Sequence, residues 1–240
     1  MDDKMYTVTF DLDGTIFRSP FWRLHLRPWL ELLSHQGRGE WWDLWTNIRD
    51  LGNRKWQRGD WVGAFDWNAI ILDALGEVLP HPKVPPWAAV RPLLMPYVSE
   101  TLLALTEIGV DYAIVTNGFY SYQAPYLEAL GLERWFHQIV TPDRVGAAKP
   151  DPRVFSQLGP VLCHVGDRPE HDAVAAKRAG IVSIQMGPAP SVPDRPDFLA
   201  AAVTPDITVD DFRSLPTVIK GLLRARTGVL RSRHGEVALP

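Results

Sequence analysis

Short apolar runs, each ending at a turn residue or a polar residue, recur along the chain. Runs of this length are typical of buried β-strands. Five are found, at Met5–Phe10, Val110–Val115, Gln138–Val140, Val161–Val165 and Ile181–Met186. Segments with helical spacing lie between them, at Tyr97–Ile108, Tyr122–Leu130 and Asp172–Ala179, the last followed by Gly180 as a C-terminal cap. This alternation predicts an α/β fold with a parallel sheet covered on both faces, where ligands bind at the carboxyl ends of the strands.

Residues 18–95 interrupt the alternation. Nine of the ten tryptophans fall between Trp22 and Trp87. Prolines mark the edges of the segment, as they do at domain boundaries, with Pro20 at the first edge and six between Pro80 and Pro96 at the second. The segment is therefore predicted to be an all-helical insert, and 1–17 with 96–240 to be the core domain. Tryptophans at helical spacing more often pack in a core than face a ligand. Nine of them exceed what so small a core needs, so we expect some to face a cleft or a partner.

The overall composition excludes several function classes. The net charge is 25 − 28 = −3. This gives no positive electrostatic potential that would attract a polyanion, so nucleic acid is not an expected partner. No run of about 18 uninterrupted apolar residues occurs, which argues against a membrane protein. The single cysteine, Cys163, cannot form an internal disulfide, and the start MDDKMYTVTF does not resemble a secretory signal. We expect a cytoplasmic protein, either a monomer or a homodimer.

The motif Asp11-Leu12-Asp13-Gly14-Thr15 directly follows the first apolar run. Two carboxylates so close together repel each other, unless a divalent cation screens them or one stays protonated to act as an acid. Gly14 allows the tight turn that returns Asp13 to the same site. Taken alone, the motif is as consistent with a plain turn at a strand end.

Three further motifs follow in order along the chain. The second strand run is followed by Thr116-Asn117-Gly118, which offers a hydroxyl and backbone N–H groups to anionic oxygens. Lys149-Pro150-Asp151-Pro152 comes next, and then Gly166-Asp167, with Asp172 five residues after Asp167. Each motif is weak by itself. Four in this order, three of them at the ends of strands, are hard to obtain by chance.

Together, these motifs resemble those of the haloacid dehalogenase-like (HAD) hydrolase superfamily, over residues 5–215. Asp11, Asp13 and Thr15 match its first motif and Thr116 its second. Lys149 matches the third, and Asp167 with Asp172 the fourth. The resemblance implies a Rossmann-like parallel-sheet core with a helical cap domain inserted after the first motif. It also implies a magnesium-dependent phosphatase acting on a small-molecule phosphate ester.

The resemblance further implies a role for each residue. Asp11 would form an aspartyl-phosphate, and Asp13 would act first as general acid and then as general base. Mg²⁺ would be held by Asp11, Asp167 and the backbone carbonyl of Asp13, with Asp172 binding through water or holding Lys149. The phosphoryl oxygens would be neutralised by Thr116, the N–H of Asn117 and Lys149.

Several alternatives remain open at this point. Dehalogenases of the superfamily lack the second aspartate, so Asp13 argues against C–halogen hydrolysis. A phosphomutase and a low-turnover binding or regulatory module that uses the aromatic cap are harder to exclude. We interpret His171 as a surface or capping residue rather than a ligand, and Cys163 and His164 as core residues. The segment Pro188–Pro205 is expected to be a surface loop, and the basic tail 224–240 looks frayed on sequence alone, so that what orders it stays open.

Overall fold

The computed structural model describes residues 5–187 and 203–234 and contains one six-stranded sheet. The strands are β1 (Thr7–Phe10), β2 (Asp111–Val115), β3 (Gln138–Val140), β4 (Val161–Gly166), β5 (Val182–Met186) and β6 (Ile207–Val209). All neighbouring strands pair in parallel, in the order β3-β2-β1-β4-β5-β6. The order reverses direction at β1, and such a switch point is where open α/β sheets bind ligands.

The helices are α1 (Arg27–His35), α2 (Trp41–Gln57), α3 (Trp67–Leu75), α4 (Trp87–Val90), α5 (Val98–Ile108), α6 (Tyr120–Leu130), α7 (Pro142–Val145), α8 (Val174–Arg178) and α9 (Leu215–His234). Two π-helical turns are found at Trp22–Leu26 and Pro169–Ala173. Among the described residues, no helix combines the length and the hydropathy needed to cross a membrane.

Burial explains why β1 lies at the centre of the sheet. All four of its residues are buried, and Phe10 pairs with Ile114 of β2 on one side and Val165 of β4 on the other. These three side chains belong to the main apolar cluster of the protein. A strand covered on both faces is largely apolar or β-branched, and β1 (Thr-Val-Thr-Phe) fits this because the hydroxyl of Thr9 finds partners inside the core. The residue after β1, Asp11, is thereby fixed at the middle of the sheet edge.

The segment 18–95 is helical and is joined to the sheet by two backbone segments that run side by side. Phe17 and Leu94 form an antiparallel bridge. The Arg18 N–H donates to the Leu93 carbonyl at 2.8 Å, and the Met95 N–H donates to the Ile16 carbonyl at 2.9 Å. The entrance and exit of the insert therefore form one hydrogen-bonded connection. The division into 18–95 as one domain and 1–17 with 96–240 as the other stays a proposal.

The predicted α/β class and the predicted strands are confirmed, with strand ends within two residues of their predicted positions. The short edge strand β6 was not predicted. Residues 224–240 look frayed on sequence alone, but α9 continues through them as far as His234. Leu215 and Ile219 at the start of α9 are fully buried and anchor the helix, which then propagates along the chain. Residues 188–202 of the predicted surface loop, and residues 235–240, lie outside the described part.

Candidate active site

A cavity of about 490 Å³ lies between the carboxyl end of the sheet and the helical insert. Six of the seven predicted site residues line it, namely Asp11, Asp13, Thr116, Asn117, Lys149 and Asp172. The seventh, Asp167, lies beside Asp11 and Asp172, with one oxygen of each carboxylate within 4.8 Å of the others. The fold thus brings residues that are up to 161 positions apart in the sequence into one site. The roles assigned to them remain proposals.

The turn after β1 holds Asp11 and leaves room for Asp167. The Asp11 N–H donates to the Val165 carbonyl at 2.8 Å, which extends the pairing with β4 beyond the strand. Gly14 has a φ of +92°, a conformation that side chains disfavour. A Cβ at Gly14 would also overlap the Asp167 carboxylate. Glycine is therefore required at this position for two independent reasons.

A buried lysine links two of the three clustered carboxylates. Lys149 Nζ donates to Asp11 Oδ1 at 2.5 Å and to Asp172 Oδ1 at 2.6 Å. Burial alone would lower the pKa of Lys149, but the charges of Asp11 and Asp172 outweigh it and raise that pKa. For Asp172, burial would raise the pKa, but Lys149 and His164 outweigh it and lower that pKa. We conclude that Lys149 and Asp172 form a charged pair.

Asp11 and Asp167 remain short of positive charge. Burial raises the pKa of Asp11, and burial with the neighbouring Asp11 raises the pKa of Asp167 well above its usual range. Asp167 Oδ1 accepts a hydrogen bond from the Thr15 hydroxyl at 3.3 Å. Clustered carboxylate oxygens with uncompensated charge are the donor set that suits a hard cation such as Mg²⁺. The residues present therefore fit the metal that the sequence implies.

Asp13 lies in a different environment from Asp11. One of its oxygens, Oδ2, accepts a hydrogen bond from Gln123 Nε2 at 2.5 Å. The other, Oδ1, is buried and has no hydrogen-bond partner within the described part of the chain. Burial and the nearby charge of Asp11 raise the pKa of Asp13 to about 7. A carboxyl group of this kind can hold a proton near neutral pH and donate it to a group in the cavity.

Asn117 has a structural function that the sequence did not predict. Its Oδ1 accepts from the Lys149 N–H at 2.8 Å, and its Nδ2 donates to the Lys149 carbonyl at 2.9 Å. The Asn117 side chain therefore fixes the backbone that carries Lys149. Thr116 Oγ1 accepts from the Gly118 N–H at 3.2 Å, which shapes the turn after β2.

Asp172 is held from two further directions. The Arg168 N–H donates to its Oδ2 at 2.9 Å, and His164 Nε2 lies 3.0 Å from its Oδ1. The other ring nitrogen of His164 lies 2.9 Å from the Thr9 hydroxyl. His164 is buried, as predicted, and burial lowers its pKa. Its contact with Oδ1 helps to position Asp172.

The interpretation of His171 as a surface or capping residue is wrong. His171 is buried and lines the cavity, with its ring centroid 4.5 Å from that of Trp56 and 5.9 Å from that of Phe65. Its Nδ1 lies 3.0 Å from Asn117 Nδ2. Both aromatic neighbours come from the insert, more than a hundred residues earlier in the chain. No local sequence signal could have revealed that contact.

Aromatic residues of the insert form the opposite wall of the cavity. The tryptophans that line it are Trp22, Trp41, Trp42, Trp45 and Trp67. Trp45 packs between Trp22 and Trp67, with centroid distances of 4.5 Å and 5.9 Å. Part of the unusual tryptophan content therefore faces this cavity, as expected. Gln123 and Arg49 also line it and were not predicted as site residues.

A family model matches residues 5–180, more than half of the chain, and its description is haloacid dehalogenase-like hydrolase. A glyceraldehyde 3-phosphate phosphatase of Methanopyrus kandleri is 32% identical over 142 residues, which are 55% of this chain and 59% of that protein. A phosphoglycolate phosphatase of Salmonella choleraesuis is 36% identical over 100 residues, which are 39% of each. The chain therefore spans about half the length of the curated relatives that it matches.

Among solved structures, a HAD phosphatase from Thermococcus onnurineus is similar to this chain with a TM-score of 0.65 and 23% sequence identity. The match covers 90% of this chain and 99% of the other. At this identity the likeness concerns the fold alone. It extends along most of both chains.

Proposed function

The chain belongs to the haloacid dehalogenase-like hydrolase family, and from that premise we propose that it is a Mg²⁺-dependent phosphatase of a small-molecule phosphate monoester. The observation that carries this proposal is the pairing of Asp11, bonded to Lys149, with Asp13, whose pKa is raised to about 7, in one cavity. A phosphoryl transfer needs a nucleophile and a proton donor for the leaving oxygen. Hydrolysis of a C–halogen bond needs no proton donor, because the halide leaves unprotonated. The presence of Asp13 therefore favours phosphate-ester hydrolysis over dehalogenation.

In the first step, a carboxylate oxygen of Asp11 attacks phosphorus and the ester P–O bond breaks. The leaving oxygen takes the proton of Asp13 and departs as an alcohol. Lys149, the Thr116 hydroxyl and the N–H of Asn117 neutralise the charge on the phosphoryl oxygens. The product of this step is a phosphorylated Asp11.

In the second step, Asp13 is ionised and accepts a proton from a water molecule. The water oxygen attacks the phosphorus, the bond to Asp11 breaks and orthophosphate leaves. Asp11, Asp167 and the Asp13 carbonyl would hold Mg²⁺, which supplies Lewis-acid neutralisation of the transferred group. Asp172 keeps Lys149 in place through the 2.6 Å ion pair.

We also propose that residues 18–95 act as a cap over this chemistry. The tryptophan wall faces the strand ends across the cavity, and exclusion of water strengthens electrostatic interactions inside it. The core contacts on phosphate are common to every ester, so discrimination between leaving groups falls to the insert. Phosphoglycolate and glyceraldehyde 3-phosphate, which the matched relatives are named for, belong in the first panel of substrates.

Release of orthophosphate from 4-nitrophenyl phosphate, with Mg²⁺ and with EDTA, tests the proposal. We expect hydrolysis with Mg²⁺, its loss in EDTA and its recovery when Mg²⁺ is restored. Asp11→Asn should abolish it. Asp43→Asn, which changes an exposed carboxylate in the first turn of α2, should not. Activity indifferent to EDTA, or phosphoryl transfer only to a second substrate hydroxyl as in a phosphomutase, would contradict the proposal. Absence of turnover would favour a binding module.

A further inference from the structure

One face of α2 points into the cavity and carries a charged residue among aromatic ones. Trp42, Trp45, Arg49 and Gly52 all line the cavity, at spacings of three and four residues. Residues so spaced lie on one side of a helix. Arg49 is thus a cation in a wall formed largely by indole rings.

Arg49 has one buried guanidinium nitrogen, Nε, that lacks a hydrogen-bond acceptor among the described residues. The ion pair that it makes is with Asp50, at 4.0 Å, and the Asp50 side chain is 52% exposed. A buried donor without an acceptor is costly, and an acceptor supplied by a ligand would remove that cost.

The other arginine in this wall is already neutralised. Arg27 Nε donates to Glu31 at 2.9 Å, and its guanidinium carbon lies 5.0 Å from the centre of the Trp41 ring. Arg27 and Arg49 are the charged residues that the insert contributes to the cavity lining. Arg49 is therefore the less neutralised positive charge of the insert wall, since its carboxylate partner lies 4.0 Å away, and Lys149 and the strand-end loops would provide the phosphate contacts on the opposite side.

We propose that the substrate is a phosphate monoester whose leaving group combines a flat or apolar body with a carboxylate, and that Arg49 binds this carboxylate. This inference rests on the proposed function and specifies its substrate class. A carboxylate carries one negative charge and matches one weakly paired guanidinium group, whereas a second phosphate carries nearly two. The indole wall accommodates the flat body between the two anionic ends.

Binding of two phosphonates that differ only in one carboxylate tests the proposal without requiring turnover. Benzylphosphonate and 4-(phosphonomethyl)benzoate, each with Mg²⁺, are titrated against the full chain, and quenching of tryptophan fluorescence gives Kd. We expect the carboxylated ligand to bind about tenfold more tightly or better, as is typical of a hydrogen bond to a charged group. In Arg49→Gln, the ratio of the two Kd values should fall close to one.

Arg54→Gln is the matched control, because Arg54 is an exposed arginine of the same helix that does not line the cavity. It should keep the wild-type ratio. If Arg49→Gln does not fold, Arg49→Lys replaces it and should give an intermediate ratio. Equal Kd values for the two ligands in the wild-type protein, or an unchanged ratio in the Arg49 variant, would overturn this inference alone. Failure of both phosphonates to bind would count against the proposed function as well.

Discussion

At the scale of single residues, the chemistry depends on a contrast between two aspartates two positions apart. Asp11 bonds to a lysine ammonium group at 2.5 Å, and Asp13 bonds to the neutral amide of Gln123. The ammonium group lowers the pKa of Asp11 and so opposes burial, which raises it on balance; a bound Mg²⁺ would further favour the ionised form that a nucleophile needs. The neutral partner leaves burial to dominate at Asp13, which suits a proton donor.

Asp13→Asn should therefore affect esters according to their leaving groups. We expect kcat/KM to fall by about 10²–10⁴-fold for alkyl phosphates, which need protonation of the leaving oxygen, and much less for 4-nitrophenyl phosphate. A series of aryl and alkyl phosphates, assayed in parallel with Asp43→Asn, measures this dependence. An equal loss for all leaving groups would show that Asp13 does not act as the acid.

The positions of Asp11, Thr116 and Asp167 could be predicted from the sequence, because each follows an apolar run and the ends of parallel strands meet at one edge. The roles of Gln123, Arg49 and His171 could not. Each depends on a contact between segments far apart in the chain, such as the packing of His171 against Trp56. Local spacing contains no information on such contacts.

At the scale of elements, the strands with buried apolar runs were predicted and the weakly apolar ones were not. β6 has three residues, Ile207 to Val209, of which the middle one is exposed, and it pairs only with β5 at the sheet edge. The break between the π-helical turn at Pro169–Ala173 and α8 was also not predicted. The Arg168 N–H donates a hydrogen bond to the Asp172 side chain and so shapes that turn. A pattern of apolar residues cannot predict such a polar contact.

Two tryptophans of α2 should respond differently to substitution. Trp42 lines the cavity and is 53% exposed, so Trp42→Leu should leave the melting temperature unchanged and alter the preference for aryl over glycerol phosphate by about two- to tenfold. Trp56 is buried outside the cavity lining, so Trp56→Ala should lower the free energy of unfolding by about 3–5 kcal/mol. Thermal denaturation and paired kcat/KM values measure both. Loss of stability in Trp42→Leu with selectivity unchanged would assign its ring to the fold alone.

At the scale of the whole molecule, residues of the sheet edge and of the insert together line one cavity. The sheet contributes the carboxylates and Lys149, and the insert contributes the aromatic wall and Arg49. The connection of Ile16–Arg18 with 93–95 is the link through which the insert reaches the sheet. Removing either part would therefore leave an incomplete site.

The single cysteine reports on the integrity of the sheet. Cys163 in β4 is fully buried, and burial raises the pKa of its thiol to about 12. We expect no reaction with a disulfide reagent at pH 8 in the folded protein and full reaction in denaturant, because the thiolate is the reactive form. Absorbance of the released thiol measures both rates. Rapid modification under native conditions would show that β4 opens without global unfolding.

The central claim is that Asp11 carries the phosphoryl group between the two steps. Asp13→Asn provides the most direct test, because with 4-nitrophenyl phosphate the first step needs little acid, while the second lacks its base. After an acid quench in the presence of Mg²⁺, peptide mass spectrometry should find one phosphoryl group on the peptide that contains Asp11, together with a burst of nitrophenolate close to one equivalent of enzyme. Asp11→Asn should show neither. A burst with the phosphoryl group on another residue, or steady turnover in Asp11→Asn, would contradict the account.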